Sequence, residues 1–408
     1  MNTSDIVWVL ISSALVMIMT PTLAFFYGGL VRKKNILSVL MQCLVILCVI
    51  SLQWILYGYS LAFGPDKGGI IGGLEWVGLA GVGLTPHESY MPTVPHQLFM
   101  TFQMMFAVIT PALIIGAFVE RIRFSGFLLF IVLWATFVYD PMAHWVWAKD
   151  GWLASMGALD FAGGTVIHIT AGIAALVFVL LLGKRSGLEH SRPPHNLPFA
   201  VLGAGFLWFG WFGFNAGSAG SAGPLAVSAF INTNTAAAAA GISWMVMDWM
   251  VNKVPTLLGV ATGIVAGLVA VTPAAGYVTP LSAIAIGALS GVICFYFVTR
   301  IKASFGYDDS LDVFGVHGVG GIVGALATGL FATKTINEAG ADGLFYGNAH
   351  QLWVQFLTTA VAIGYSAVMT FVLFKIVDKL VGMRVTVREE NIGLDLTQHH
   401  ETGYTLHE

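Results

Sequence analysis

Charge is what this chain has least of. Only 10% of its 408 residues are Asp, Glu, Lys or Arg, well under half the ~25% usual in a soluble globular domain. So few charges cannot coat a water-facing surface, so the bilayer is the solvent to expect. The net charge of −3 provides no basic field, so no nucleic-acid partner is expected. Cysteine is scarce as well. Cys43, Cys48 and Cys294 are odd in number, lie inside apolar runs and lack metal-ligand spacing, so they read as small core residues. Serine-hydrolase, P-loop and metal motifs are missing, and neither an enzyme nor a cofactor is expected. The first apolar run has no basic segment ahead of it and no clear A-x-A site, which makes it a first span and not a signal peptide.

What fills the chain is apolar: 57% hydrophobic residues and a mean hydropathy of +0.82. A bilayer span needs roughly 20 apolar residues. Eleven such runs occur, near 6–30, 36–62, 96–119, 125–146, 162–182, 198–216, 224–250, 256–272, 280–299, 312–331 and 349–377. Pro21 and Pro111 fall inside runs and should kink them. With the N-terminus outside, one side receives Arg32, Lys33, Lys34, Arg121, Arg123, Lys184, Arg185, Arg192, Lys253, Arg300, Lys302, Lys375, Lys379, Arg384 and Arg388. The other side receives only Lys67, Lys149 and Lys334. Cytoplasmic loops carry the excess of basic residues, so this asymmetry predicts N-out and C-in, and losing one span would scramble it.

Forty-eight glycines predict close helix packing. Gly259, Gly263 and Gly267 recur every fourth residue, as do Gly287 with Gly291 and Gly320 with Gly324. The chain also repeats. His168 is followed by "ITAGIAAL" and His317 by "GVGGIVGAL", and Asp160 and Asp309 each lie eight residues before their histidine. Five spans separate the two histidine helices, so they run in opposite directions. That predicts an all-α polytopic membrane protein, a 5+5 inverted repeat with one extra helix and a site near the midplane. The half-repeats cover about 6–183 and 198–332, the eleventh helix about 349–377, and residues 379–408 form a polar tail after a membrane domain of 1–378.

A lone histidine in a membrane helix can be a satisfied core residue; two at matching places in opposed halves point to one central site. Two neutral rings can share a proton and still offer a polar atom to a small solute. Asp160 precedes "FAGGTV", where an N-cap is expected, and near a vestibule the same carboxylate adds negative potential for a cation. "FQMMFA" puts Phe102 and Phe106 one turn apart, "WFGWFGFNAGSAG" carries Trp211, Phe214 and Ser218, and "AHWVW" brings Trp147 to the outer end of the fourth run. Each alone suits membrane packing; together, on the outer side, they suit holding a cation.

"DFAGGTVIHIT", "GWFGFNAGSAG", "DVFGVHGVGGIVGAL", "ERIRFS", "AFFYGGLVRKKN" and "GLDLTQHHETGY" resemble the ammonium transporter (Amt/Mep/Rh) family, specifically its bacterial and archaeal Amt branch, along essentially the whole chain. The resemblance implies eleven spans, a homotrimer in the cytoplasmic (inner) membrane and one pore per subunit. It implies that Phe102, Phe106, Trp147 and Ser218 form an outer ammonium-recruiting site supported by Asp160. It further implies a stacked gate of Phe106 and Phe214, and a pore past Trp211 lined by His168 and His317. The chain departs from the family at Lys149 and Asp150, where many relatives have glycines. Ammonium would be deprotonated near the gate and pass as ammonia, with methylammonium as an analogue; the resemblance is compatible with electrogenic or neutral transport.

In the tail, Gly393, Leu394, Asp395, His399, Glu401 and Tyr404 keep spacings that resemble the Amt regulatory tail. This implies packing on the cytoplasmic face and a PII-type signal protein that docks there; the plain alternative is a solvated, disordered end. Two rival functions stand beside transport: an ammonium sensor signalling through a partner, and an Rh-like neutral gas channel.

Overall fold

The structure is a computed structural model that describes residues 1–187 and 193–404, so Arg192 and the last four tail residues lie outside the described residues. The chain runs through α1 (Thr3–Leu30), α2 (Lys33–Phe63), α3 (His96–Phe118), α4 (Phe124–Ser155), α5 (Gly164–Leu182), α6 (Leu197–Gly217) and α7 (Pro224–Asn252). There follow α8 (Leu257–Val271), α9 (Pro280–Phe305), α10 (Phe314–Phe331) and α11 (Ala349–Val381). All but α8 are at least 18 residues long and apolar enough to cross a bilayer, ten helices among the described residues.

The shorter α8 falls where the sequence predicts a span over 256–272. Thr256 accepts from Gly259 N–H and caps its start, and Pro273 follows directly on Thr272 and cannot continue it. Its 15 residues rise only about 22 Å at 1.5 Å each.

Helices α3 and α5 are central, 83% and 78% buried over their apolar windows, whereas α11 is peripheral at 33%. The peripheral faces stay apolar: Leu202, Phe206 and Phe209 of α6, Val227 of α7 and Leu289 of α9 are exposed. Small residues let the inner helices meet at backbone distance. A Cβ on Gly287 would lie 2.2 Å from Ala236 O, and one on Gly324 would lie 2.1 Å from Ala270 O. Between α2 and α3 a short antiparallel hairpin pairs Asp66–Lys67 with Ile71–Gly72.

On the side rich in basic residues, a buried ion-pair network ties the loops together. Glu120, in a left-handed turn at φ 73°, accepts from Arg32 N and Nε, Asn35 Nδ2 and Arg185 Nη1, all at 2.9 Å. Arg185 also grips Asp308 with Nε and Nη2, at 2.9 and 2.8 Å. The wholly buried Arg121 donates to Gly183 O, Ser310 Oγ and Asp308 O. Burial alone would raise both carboxyls; the charges of Arg185 and Arg32 outweigh it and hold Glu120 down at about 2. Hydrogen bonds from Arg185 and the charge of Arg121 hold Asp308 at about 2 as well.

A carboxyl depressed on folding contributes stability above its unfolded pKa and loses it as pH falls through the folded one. Each should therefore supply on the order of 2–3 kcal/mol at neutral pH, vanishing between about pH 4 and 2. Glu120→Gln should lower the melting temperature at pH 7 and narrow its gap to the unsubstituted protein as the solution is acidified through that window. A gap that stays constant in thermal scans across those pH values would contradict this account.

Candidate functional site

The site is built where α5 and α10 begin. Helix α5 opens with a π-turn, Gly164–Ile169, after Gly163 in a left-handed conformation at φ 116°. Its first N–H groups have no helical acceptors, and Asp160 supplies them. Oδ1 accepts from Gly163 and Gly164 at 2.9 and 2.6 Å, and Oδ2 from Thr165 and Val166 at 2.9 and 3.0 Å. Helix α10 repeats the device. Asp309 accepts from Val313 and Phe314 N–H at 3.1 and 2.8 Å ahead of a second π-turn, Phe314–Gly318.

His168 and His317 are each the next-to-last residue of such a turn. They meet because Gly172 of α5 lies against Gly318 of α10, where a Cβ on Gly172 would sit 2.2 Å from Gly318 Cα and N. The imidazoles face each other with Nδ1 to Nδ1 at 3.3 Å and ring centroids 5.3 Å apart, 29° from parallel. One Nδ1 must donate and the other accept. The shared contact therefore leaves the pair one outward N–H and one outward lone pair, and His168 Nε2 is buried without a hydrogen-bond partner.

The histidines line a narrow apolar cavity together with Ile109, Leu113, Trp211, Phe214 and Val265. Trp211 stacks on His168 at 5.5 Å and is aimed by its Nε1–H, which donates to Thr272 Oγ1 at 2.9 Å. Phe214, 5.4 Å from Trp211, also stacks on His168 at 6.1 Å and lies 4.5 Å from Phe106. Phe106 in turn contacts Phe102 at 4.8 Å and Trp147 at 6.0 Å. Trp147 Nε1–H donates to Asp160 O at 2.9 Å. The carboxylate that caps α5 thus belongs to the residue that anchors Trp147. Ser218 Oγ donates to Phe214 O at 2.9 Å, and its neighbour Gly217 lies against Phe102.

Beyond His317 a cavity of about 230 Å³, lined in part by Phe26, Tyr27, Ser310, Leu311, Asp312 and Val316, opens toward the basic loops. Asp312, at φ 62°, pairs there with Lys302. The sequence reading missed this vestibule and Thr272; "DDSLD", an acidic cluster at the mouth of an apolar run, was the available signal for Asp312.

The tail lies on the same side. After α11 come α12 (Val387–Ile392), with a Thr386–Glu389 capping box, and α13 (Leu394–His399), joined by Gly393 at φ 118°. Leu394 N–H donates to Asn35 Oδ1 and Asp395 Oδ1 accepts from Ser38 N–H, both at 2.8 Å, so the tail caps α2. Glu390 accepts from Ser186 N–H at 2.6 Å, and the His399 ring meets Phe124 at 5.1 Å. His195 can only donate through Nδ1 to Val31 O, which leaves Nε2 to accept from Tyr404 Oη at 3.0 Å.

Ten long apolar helices around a histidine-lined cavity, with aromatic rings on one side of it and a vestibule on the other, define a polytopic membrane protein of the transport class. The profile described as Ammonium Transporter Family matches residues 7–404, and the chain belongs to that family of transporters, which are not enzymes. It is 53% identical over 404 residues to an ammonium transporter of Bacillus subtilis (strain 168), covering 99% of each chain. It is 46% identical to ammonium transporter Amt1 of Archaeoglobus fulgidus, covering 99% of this chain and 100% of that one. Its structure matches the crystal structure of Candida albicans Mep2 with a TM-score of 0.90 at 36% identity, over 99% and 93% of the two chains.

The Gly172–Gly318 contact yields a direct test. Overpacking a core typically costs about 1–3 kcal/mol, and here the obstructing atoms are backbone. Gly172→Ala should lower the melting temperature and separate the imidazoles, reducing methylammonium uptake by at least tenfold at equal surface expression. Uptake and melting unchanged by that methyl group would show that the two helices can part without consequence.

Proposed function

We propose that the chain carries ammonium across the cytoplasmic membrane by recruiting the cation outside, removing its proton near Phe106 and Phe214, and passing ammonia along the cavity past Trp211, His168 and His317. The observation that carries this reading is the His168–His317 pair, two imidazoles in contact in an apolar cavity with one nitrogen buried and unpartnered. An ion stripped of water there has no counter-charge, whereas a neutral amine finds a donor and an acceptor. Potassium has no proton to lose and is excluded on the same ground. Outside, the ring faces of Phe102, Phe106 and Trp147 with Ser218 suit an alkylammonium or ammonium ion. Asp160 supports that site by holding Trp147 through its carbonyl and α5 through its carboxylate.

The basic-residue asymmetry supports an N-out, C-in chain with α8 as the eighth of eleven spans. The matched Asp and His positions support the 5+5 inverted repeat, with half-repeats 6–183 and 198–332. The exposed apolar faces of α6, α7 and α9, together with the family, support a homotrimer with one pore per subunit. Residues 379–408 then form a regulatory tail on a membrane domain of 1–378, to which a PII-type protein docks. A sensing role is the second reading: the chain is 31% identical, with a TM-score of 0.89, to a solved protein described as Sensor Amt Protein. A neutral gas channel fits less well, because Trp147 and Ser218 would then have no cation to hold.

His168→Ala or His317→Ala should abolish selective uptake of labelled methylammonium, measured with simultaneous current recording, while leaving a folded oligomer. Trp147→Leu, Phe106→Ala and Ser218→Ala should instead weaken half-saturation by several-fold to tens-fold, since each cation–π contact contributes about 0.5–2 kcal/mol. Undiminished uptake with potassium still excluded in the histidine variants would make the pair structural.

For the tail, a Cβ on Gly393 would lie 2.7 Å from Lys34 O in a conformation side chains rarely adopt. Gly393→Asp should therefore undock the tail and impair transport or its control, as should truncation after Gly382. Transport equal to that of the full chain, with and without an added PII protein, would leave the tail without a regulatory role.

A further inference from the structure

Two buried polar residues away from the cavity have no part in this mechanism. Gln53 is the last regular residue of α2 before its π-turn Trp54–Gly58, and Asp140 is the first residue after the π-turn Ala135–Tyr139 of α4. Both are buried. Gln53 Nε2 donates to Asp140 Oδ2 at 2.8 Å. The amide oxygen of Gln53, Oε1, and the second carboxyl oxygen of Asp140, Oδ1, are buried with no hydrogen-bond partner. No Lys, Arg or His pairs with Asp140 among the described residues. The nearest titratable groups along α4 are Tyr139 and, one turn on, His144, whose two nitrogens are occupied by Ala62 O and Asp66 Oδ1.

An ionised Asp140 would be a buried charge with a single neutral donor, and the amide that supplies that donor has an oxygen that also lacks a partner. One proton removes both faults. We propose that Asp140 is held as the neutral carboxylic acid and closes a cyclic pair with Gln53, Oδ1–H donating to Oε1 while Nε2–H donates to Oδ2. The pair is an uncharged lock between α2 and α4. It sits between two π-turns, where the widened backbone ladder holds each helix least firmly. Pro141 loosens α4 further, since it has no N–H to offer the Phe137 carbonyl, which Tyr365 Oη takes instead at 2.7 Å. The segment of α4 beyond the lock carries Trp147, so Gln53 and Asp140 are positioning residues for the outer site. The lock itself stands apart from the transport reading; only its effect on uptake rests on it.

Infrared difference spectra at neutral pH test the proton. Asp140→Asn should remove a carboxylic-acid carbonyl band yet melt with the unsubstituted protein, because Asn Nδ2–H donates where the acid did. Asp140→Leu and Gln53→Leu should melt lower and raise half-saturation for methylammonium several-fold with maximal uptake little changed. Absence of the acid band, or an Asn variant that melts as low as the Leu variants, would overturn the lock. Leu variants that melt lower with half-saturation unmoved would overturn its positioning role and leave the transport reading untouched.

Discussion

Inside a bilayer a backbone N–H without a helical acceptor has no water to turn to, and that constraint governs where a helix can begin. Helices α5 and α10 both start within the protein, each through a π-turn that carries a histidine. Four N–H groups at the first start converge on Asp160 and two at the second on Asp309. Without these carboxylates the starts would unravel, and with them the depth and direction of both imidazoles. The His168–His317 contact is thus the visible end of an argument about unsatisfied donors. The N–H dipoles serve the carboxylates in return, letting charge sit where none could sit bare.

The same economy recurs at other depths. Trp211 and Trp147 are aimed by single indole N–H bonds, to Thr272 and to Asp160 O. At the basic face, where water is near, full charges do the work: Arg32, Arg121 and Arg185 hold Glu120 and Asp308 across four loops. Between these zones only close backbone contact and neutral pairs are affordable, and the Gly172–Gly318 crossing and the Gln53–Asp140 pair fall there.

How much of this could be read from the sequence depended on spacing. The long apolar runs, the eight-residue Asp-to-His offsets and the aromatic motifs are local patterns, and the described helices and the histidine contact lie where those patterns put them. Features joining distant segments left no such trace. Thr272 is one hydroxyl among many until Trp211, 61 residues earlier, is seen to need it. Asp140 goes unremarked inside the apolar run 125–146, because one acidic residue does not break a run of that length. A π-turn adds a single residue to a helical ladder and has no composition of its own, so none was foreseen. The short span over 256–272 is found as Leu257–Val271, within one residue at each end.

The tail's hold on α2 has a consequence for biosynthesis. Ser38 N–H finds its acceptor in Asp395, 357 residues later, and Asn35 bonds Leu394 across 359. A ribosome making this chain therefore releases α2 into the membrane with its leading end uncapped. It stays so through the insertion of the helices from α3 to α11, until Leu394 and Asp395 are made. Completion of the second helix is in this sense a report that synthesis has passed residue 395: until then its basic start lacks the groups of the tail that hold it.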